Sequence, residues 1–194
     1  MRNAIVVLCA VGAAALVGCG GKSVHAAHSL EPSPSARLGP NDGAQGGSGP
    51  MYARDSTFAR DSARLRAATA AFRSLEAAVA AGYPADAPGC LANAAMGGGM
   101  GYHHTNEKLL DDSIEVERPE ILVYGRGKNG EYVLNGVEYM VPFSAHPREL
   151  PAPTVMGQKL KAFDRGKFWY RHVWIWLENP KGLFEDWNPK VTCP

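Results

Sequence analysis

The sequence lacks the charge excess that marks nucleic-acid binders. Its 20 Lys and Arg residues nearly balance its 19 Asp and Glu residues, which leaves a formal charge of +1. Aromatic residues are absent from the first 50 positions, although the chain has six Phe, four Trp and seven Tyr. Because aromatic side chains supply much of a core's buried area, this stretch is excluded from the core. We expect no nucleic-acid partner.

The chain is also too short for two full domains with independent cores. It has 194 residues, of which 45% are hydrophobic, and this content excludes wholesale disorder. Its 22 Gly and 14 Pro indicate extensive turns and linkers. We predict a single globular domain over residues 51–194.

The N-terminal residues have the pattern of an export signal. Arg2 precedes an apolar run from Ile5 to Val17, which is too short to span a bilayer as a stable helix and is followed by Gly18 and Cys19. Leu16 to Cys19 resembles the lipobox of bacterial lipoproteins. The resemblance implies removal of residues 1–18, acylation of Cys19 and attachment to a membrane in the cell envelope. Gly20, in place of Asp, implies the outer membrane if the cell is Gram-negative.

The lipobox is followed by a segment without periodic apolar residues. Residues 20–50 are dominated by Gly, Ser, Pro and Ala. Such a composition favours a flexible chain over a packed one. We therefore interpret residues 19–50 as a lipidated cysteine and a tether.

The domain itself begins with a helical pattern and continues with extended segments. Residues 51–81 contain no Gly or Pro and carry apolar residues at steps of three and four, and Gly82 offers a C-cap. Extended patterns follow at residues 120–124, 131–134 and 137–143. The fold class predicted is α+β, with an N-terminal helix packed on a small, mainly antiparallel curved sheet or partial barrel.

Turn residues organise the extended segments. Asn129-Gly130 is typical of a tight hairpin turn. Asn135-Gly136 indicates a bulge in the second strand or, alternatively, a second turn. Residues 168–177 are almost wholly aromatic or β-branched, so we expect this strand at the centre of the sheet.

Two cysteines remain once Cys9 and Cys19 are assigned to the N-terminal region. In an oxidising compartment Cys90 and Cys193 are expected to form a disulfide. The alternative is that one of them is a metal ligand or a nucleophile, but a penultimate residue is a poor position for a preorganised nucleophile.

Polar residues in apolar or glycine-rich strands are the candidates for chemistry. If residues 102–107 are extended, His103 and Glu107 share one face and His104 points to the other. Glu138 is predicted to share a face with Leu134 and Met140. His172 is predicted to share a face with four aromatic residues: Phe168, Tyr170, Trp174 and Trp176.

A buried carboxylate is costly unless it is paired or bound to a cation. Adjacent strands would bring His103, Glu138 and His172 together, with Glu107 as a fourth ligand. This donor set suits zinc, copper or non-haem iron, and the thioethers of Met96 and Met100 would favour copper. It resembles the cupin metal site in ligand type alone, because the His-x-His motif is absent. Alternatively, Glu138 pairs with Arg171 or Arg126, and His172 is a hydrogen-bonded core residue.

The C-terminal part of the chain is similar to a group of exported bacterial proteins. The similar segments lie within residues 76–194 and begin at Gly99, Pro119, Gly136, His172, Asn179 and Trp187. The resemblance implies export but no activity. Three functions remain open: an anchored protein that binds a metal or small ligand, a mononuclear metal enzyme such as an oxygenase or hydrolase, and a structural or interaction lipoprotein.

Overall fold

The computed structural model describes residues 56–194. The predicted signal, Cys19 and the tether lie outside the described residues. None of the helices within 56–194 has the length and apolar content needed to cross a membrane.

The helical region is interrupted where the sequence pattern predicts one continuous helix. Helix α1 spans Ser56–Thr69, a 3-10 turn spans Ala70–Arg73, and helix α2 spans Leu75–Ala80. Ser74 is extended, with φ −89° and ψ 121°, and its side chain accepts a hydrogen bond from the amide of Ala77. The break arises because a serine that caps the second helix competes with continuation of the first.

The α+β class is confirmed by one curled antiparallel sheet that forms a half-barrel beneath the helical region. Its six strands run in the order β1-β2-β3-β4-β8-β7, and two short strands, β5 and β6, pair separately. The strands are β1 Cys90–Asn93, β2 Gly98–Thr105, β3 Ile121–Arg126, β4 Tyr132–Pro142, β5 Thr154–Val155, β6 Gln158–Lys159, β7 Lys161–Phe163 and β8 Phe168–Val173.

The predicted hairpin and bulge are both present. Gly130 adopts φ +83° in the turn that joins β3 to β4. Val123 pairs with Gly136 and Tyr124 pairs with Leu134, so Asn135 is the extra residue. The bulge reverses the alternation of side chains along β4. Leu134 therefore packs in the main core, and the prediction that it shares a face with Glu138 is wrong.

The prediction for the last strand needs two corrections. Strand β8 is fifth of six, between β4 and the short edge strand β7, whereas β3 and β4 occupy the centre. It also ends at Val173, after which the chain leaves the sheet. Trp176 consequently packs against the main core and donates a hydrogen bond to the Thr69 hydroxyl, so it does not share a face with His172.

The two faces of the sheet bury different sets of residues. The helix-side face carries the main core, which includes Leu122, Tyr139 and Val173. The opposite face, called here the tail-side face, carries a small apolar cluster of Ile121, Val123 and Trp174, completed by Val191 from the chain terminus. Residues 178–194, called the C-terminal segment, thus contribute to the cover of the tail-side face.

The predicted disulfide is present. Cys90 on β1 is bonded to Cys193, with 5.5 Å between the Cα atoms and 103 residues between them along the chain. The bond ties the C-terminal segment to the edge of the sheet.

Candidate metal centre

Strand β2 directs its two adjacent histidines to opposite faces, as the alternation of an extended strand requires. His104 is fully buried on the helix side, between the rings of Tyr124 and Tyr132, and its Nδ1 lies 2.8 Å from the carbonyl oxygen of Pro84. His103 pairs with Val123 of β3 and faces the tail side. His103 is therefore the histidine available to a site on that face.

Strands β4 and β8 supply the other two groups. Glu138 and His172 are direct cross-strand partners in the antiparallel ladder, so their side chains stand side by side on the tail-side face. His103 lies one strand further away, beyond β3, and its ring reaches across that strand. Three residues far apart in sequence meet because β2, β3, β4 and β8 are consecutive neighbours in the sheet.

The three side chains converge on a common point. Nε2 of His103 lies 3.1 Å from Nε2 of His172 and 3.3 Å from Oε2 of Glu138, and the third edge of this triangle is 3.7 Å. The side chains are 13%, 2% and 6% exposed for His103, His172 and Glu138. These three residues form a buried group that can hold a metal ion.

The size of the triangle matches a coordination sphere. A tetrahedral ion with bonds of about 2.0–2.2 Å separates its ligand atoms by about 3.3–3.6 Å. The observed edges of 3.1, 3.3 and 3.7 Å bracket that range. The group therefore needs little rearrangement to surround a cation.

The outer side of His172 faces a carboxylate from the C-terminal segment. Its Nδ1 lies 3.7 Å from Oδ1 of Asp186, which is beyond hydrogen-bond length. The same carboxylate accepts hydrogen bonds from Nζ of Lys161 at 3.0 Å and from the hydroxyl of Tyr170 at 3.1 Å. The ring of His172 also stacks on Trp174, with an interplanar angle of 14°. These contacts surround the imidazole on several sides.

Burial sets the protonation of the group. It lowers the pKa of His103 to about 3, an effect increased by the neighbouring His172, so His103 is neutral near pH 7 and its ring can offer a lone pair. Burial raises the pKa of Glu138, against the opposing influence of His172. Burial also opposes ionisation of Asp186, yet its contacts with His172 and Lys161 lower the pKa of Asp186 to about 2. Asp186 is therefore an anion near pH 7.

The arginines that could have neutralised Glu138 are engaged elsewhere. Arg171 donates to the carbonyl oxygen of Lys159, and Arg126 donates to that of Gly130 while it stacks on the Tyr132 ring. Within the part of the chain that the structure describes, the Glu138 carboxylate contacts the two histidines and forms no ion pair with Lys or Arg. Nδ1 of His103 and Nδ1 of His172 likewise lack a hydrogen bond within residues 56–194. The alternative pairing of Glu138 with Arg171 or Arg126 is therefore wrong, and the ring of His172 is hydrogen-bonded to that of His103.

Glu107 is not brought into the group. Strand β2 ends at Thr105, and Asn106 caps a 3-10 turn over Glu107–Leu109, in which Glu107 is exposed. The extended conformation assumed for residues 102–107 therefore ends too early to place Glu107 beside His103.

The glycine-rich stretch before His103 has a role that the sequence pattern left open. A Cβ atom on Gly98 would lie within 2.4 Å of the carbonyl oxygen of Asn188, and one on Gly99 within 2.8 Å of that of Val191. The glycines thus admit the backbone of the C-terminal segment, not a phosphate.

Sequence reasoning missed Asp186, because a single acid in a loop carries no periodic signal. The run of glycines was the one indication that another backbone approaches β2. Comparisons with protein families, with characterised proteins and with solved structures find no match for this chain.

Proposed function

We propose that this domain binds one divalent transition-metal ion through Nε2 of His103, Nε2 of His172 and Oε2 of Glu138. The observation that carries the proposal is the convergence of three metal-ligating atoms, from three strands, within 3.7 Å of one another in a buried position. A cation at the centre would neutralise a carboxylate that forms no ion pair with Lys or Arg in residues 56–194. Binding of the cation would also use the Nε2 lone pairs of His103 and His172, whose Nε2 atoms otherwise face each other.

Zinc is the ion that we propose first. Two imidazole nitrogens and one carboxylate oxygen are ordinary zinc ligands, and two edges of the triangle, at 3.3 and 3.7 Å, exceed the spacing of about 2.8–3.1 Å expected for right-angled coordination. Copper and iron accept the same donors and are tested alongside zinc.

The test is a metal titration of the full chain with its disulfide intact. We expect one zinc ion per chain by isothermal titration after chelation and dialysis. His103→Ala and His172→Ala should each weaken binding by a factor of 100 or more, because two ligands hold an ion far less firmly than three. Parallel titrations with Cu²⁺ and Fe²⁺ identify the preferred ion.

Two control variants match the histidine substitutions. His146→Ala removes a histidine whose Nε2 lies 2.9 Å from the carbonyl oxygen of Pro151, outside the group. A double alanine variant at His25 and His28 removes the imidazoles of the predicted tether. Both controls should bind like the unaltered chain. Absence of binding by the unaltered chain, or equal binding by His103→Ala, would refute the proposal and favour a structural or interaction protein.

A second candidate function is a metal-dependent hydrolase. It is favoured by the number of protein ligands, since catalytic zinc sites have three and keep a fourth position for water, whose pKa the ion lowers to about 7. The ligand His103 is the most exposed of the three. Turnover of a chromogenic ester by the zinc-loaded chain, abolished by His103→Ala, would support catalysis. Stoichiometric binding without turnover of esters or phosphoesters would leave binding as the function.

We also propose that the chain is exported and anchored in the cell envelope through Cys19. The proposal rests on Leu16 to Cys19 and on the apolar run before them. Labelled palmitate should be incorporated by the unaltered chain and not by Cys19→Ser. Recovery of Cys19→Ser in the membrane fraction at the level of the unaltered chain would contradict anchoring through this residue.

A further inference from the structure

The C-terminal segment lies beside the proposed metal centre and carries a charged group that faces it. Oδ1 of Asp186 lies 3.7 Å from Nδ1 of His172, a ring atom without a hydrogen bond in residues 56–194. The His172 side chain is 2% exposed, so bulk water is not available to this nitrogen. When Nε2 of a histidine ligates a metal, Nδ1 carries the proton and needs an acceptor. Asp186 is the nearest candidate.

Asp186 is held in place by contacts with the sheet. Lys161 on β7 and Tyr170 on β8 each donate a hydrogen bond to its carboxylate, at 3.0 and 3.1 Å. The backbone on either side is also fixed. The indole of Trp174 donates to the carbonyl oxygen of Glu185, and Asn188 exchanges two backbone hydrogen bonds with Gly99, at 2.9 and 3.1 Å. The carboxylate is thus positioned before any ion binds.

Two further anchors attach the segment to the start of β2 and to β1. Nζ of Lys181 donates to the carbonyl oxygens of Met96 and Gly97, at 2.7 and 3.1 Å. The disulfide between Cys193 and Cys90 closes the far end. The segment therefore spans the tail-side face from β8 to β1, with Asp186 within its length.

We propose that the C-terminal segment supports the metal centre from outside the ligands. Asp186 positions the imidazole of His172 as a ligand, and the Cys90–Cys193 disulfide holds the segment against the sheet, which keeps Asp186 beside His172. This inference rests on the proposed metal-binding function. Asp186 acts through His172 and is not itself a ligand. It faces Nδ1 of His172, whereas His103 and Glu138 face Nε2 of the same ring. Removal of such an acceptor weakens metal affinity by about 10–100-fold in proteins.

The test compares zinc affinities of variants of the full chain by competition with a chromophoric chelator. We expect Asp186→Asn to bind zinc 10–100-fold more weakly than the unaltered chain, and Asp186→Glu to recover part of that loss. Glu178→Gln is the matched control, because Glu178 lies in the same segment and contacts Lys190 but not His172. It should bind zinc as the unaltered chain does.

Cobalt replaces zinc as a spectroscopic probe of the ligand geometry. We expect the visible absorption bands of bound Co²⁺ to shift in Asp186→Asn and to keep their positions in Glu178→Gln. A purely structural role of Asp186 would lower stability without moving these bands. An unshifted Co²⁺ spectrum together with unchanged zinc affinity in Asp186→Asn would overturn the inference.

A double variant of Cys90→Ser and Cys193→Ser tests the segment even if Asp186→Asn does not fold. Replacing both cysteines avoids the unpaired thiol that a single substitution would leave, which would bind zinc itself. We expect zinc binding several-fold weaker than in the unaltered chain, and equal affinity would overturn the role given to the disulfide. If the unaltered chain binds no zinc, the proposed function itself fails. If the unaltered chain binds zinc and the Asp186 and cysteine variants bind it with the same affinity, only the inference about the C-terminal segment fails.

Discussion

The buried tyrosines on the helix-side face of the sheet and the two facing histidines on its tail-side face differ in how their polar atoms are partnered. On the helix side, each buried tyrosine hydroxyl donates to a carbonyl oxygen: Tyr83 to Pro119, Tyr124 to Phe72 and Tyr139 to Val116, all within 2.7 Å. On the tail side, His103, Glu138 and His172 face one another, and Nδ1 of both histidines lacks a hydrogen bond in residues 56–194. Nε2 of His104 on the helix side also lacks one, but His104 belongs to no group of metal-ligating side chains in these residues. Satisfied polar groups stabilise a fold, whereas groups that are convergent and unsatisfied are typical of a site that awaits a ligand.

The largest effect is expected where the disulfide ties the C-terminal segment to the edge of the sheet. The disulfide closes a loop of about 100 residues, and the chain-entropy relation gives about 4.7 kcal/mol for such a loop. The double variant Cys90→Ser and Cys193→Ser should lower the free energy of unfolding by about 4 kcal/mol in urea denaturation. A loss below about 1 kcal/mol would contradict the stabilisation that the chain-entropy relation assigns to this bond.

Adjacent residues of β3 allow the two faces to be compared directly. Leu122 is fully buried in the main core, whereas Val123 lies opposite His103 in the smaller cluster. Leu122→Ala should cost about 3 kcal/mol of stability, measured by denaturation, and leave the zinc affinity of the folded protein unchanged. Val123→Ala should cost less stability but weaken zinc binding. The reverse pattern would contradict the division of roles between the faces.

A pH dependence is expected from Glu120, which is buried at the start of β3 and accepts a hydrogen bond from the amide of Met140. Burial raises the pKa of Glu120 to about 8, from an ordinary value of 4.5. Between these values the folded chain holds a proton that the unfolded chain has released, so the free energy of unfolding falls as pH rises. Glu120→Gln removes this contribution and keeps an acceptor for Met140.

The advantage of Glu120→Gln over the unaltered chain should therefore grow by about 2–3 kcal/mol from pH 5 to pH 7, measured in the presence of a chelator. Glu131→Gln is a control, because this exposed side chain accepts a hydrogen bond from the amide of Asn129 in the β3–β4 turn. A constant difference across the pH range would exclude Glu120 as the source.

The smallest expected change in the free energy of unfolding concerns Glu138, where the sign of the change shows whether the residue serves the fold or a ligand. Because burial disfavours its charge, Glu138→Gln should stabilise the metal-free chain by about 1 kcal/mol at pH 8 in urea denaturation. The same variant should bind zinc more weakly than the unaltered chain. Destabilisation of the metal-free chain would mean that Glu138 serves the fold and not a ligand.

Local patterns predicted more of the fold than of the site. The hairpin at Asn129-Gly130 and the bulge at Asn135 follow from residue types that favour those backbone angles, and both are confirmed. The consequences of the bulge were harder to foresee. One extra residue reverses the alternation of side chains along β4. Because β8 ends at Val173, Trp176 lies outside the strand and packs on the helix side. The rule that alternate residues of a strand share one face of the sheet fails wherever a bulge or a strand end interrupts the ladder.

Of the four predicted ligands, three are brought together and one is not. His103, Glu138 and His172 lie within regular strands, where alternation places side chains reliably. Glu107 lies past the end of its strand, where the chain turns. Export and the role of Cys19 concern residues outside 56–194 and stay predictions.

The sequence by itself determined which elements form and which residue types are available, because helix propensity, turn chemistry and the pairing of two cysteines are local or combinatorial properties. Only the tertiary structure decided that β8 lies beside β4, that the glycines of β2 admit the C-terminal segment, and that Asp186 faces His172. The physical reason is that a site depends on distances of a few ångströms between atoms many residues apart. Those distances follow from strand order and register, which no local pattern encodes.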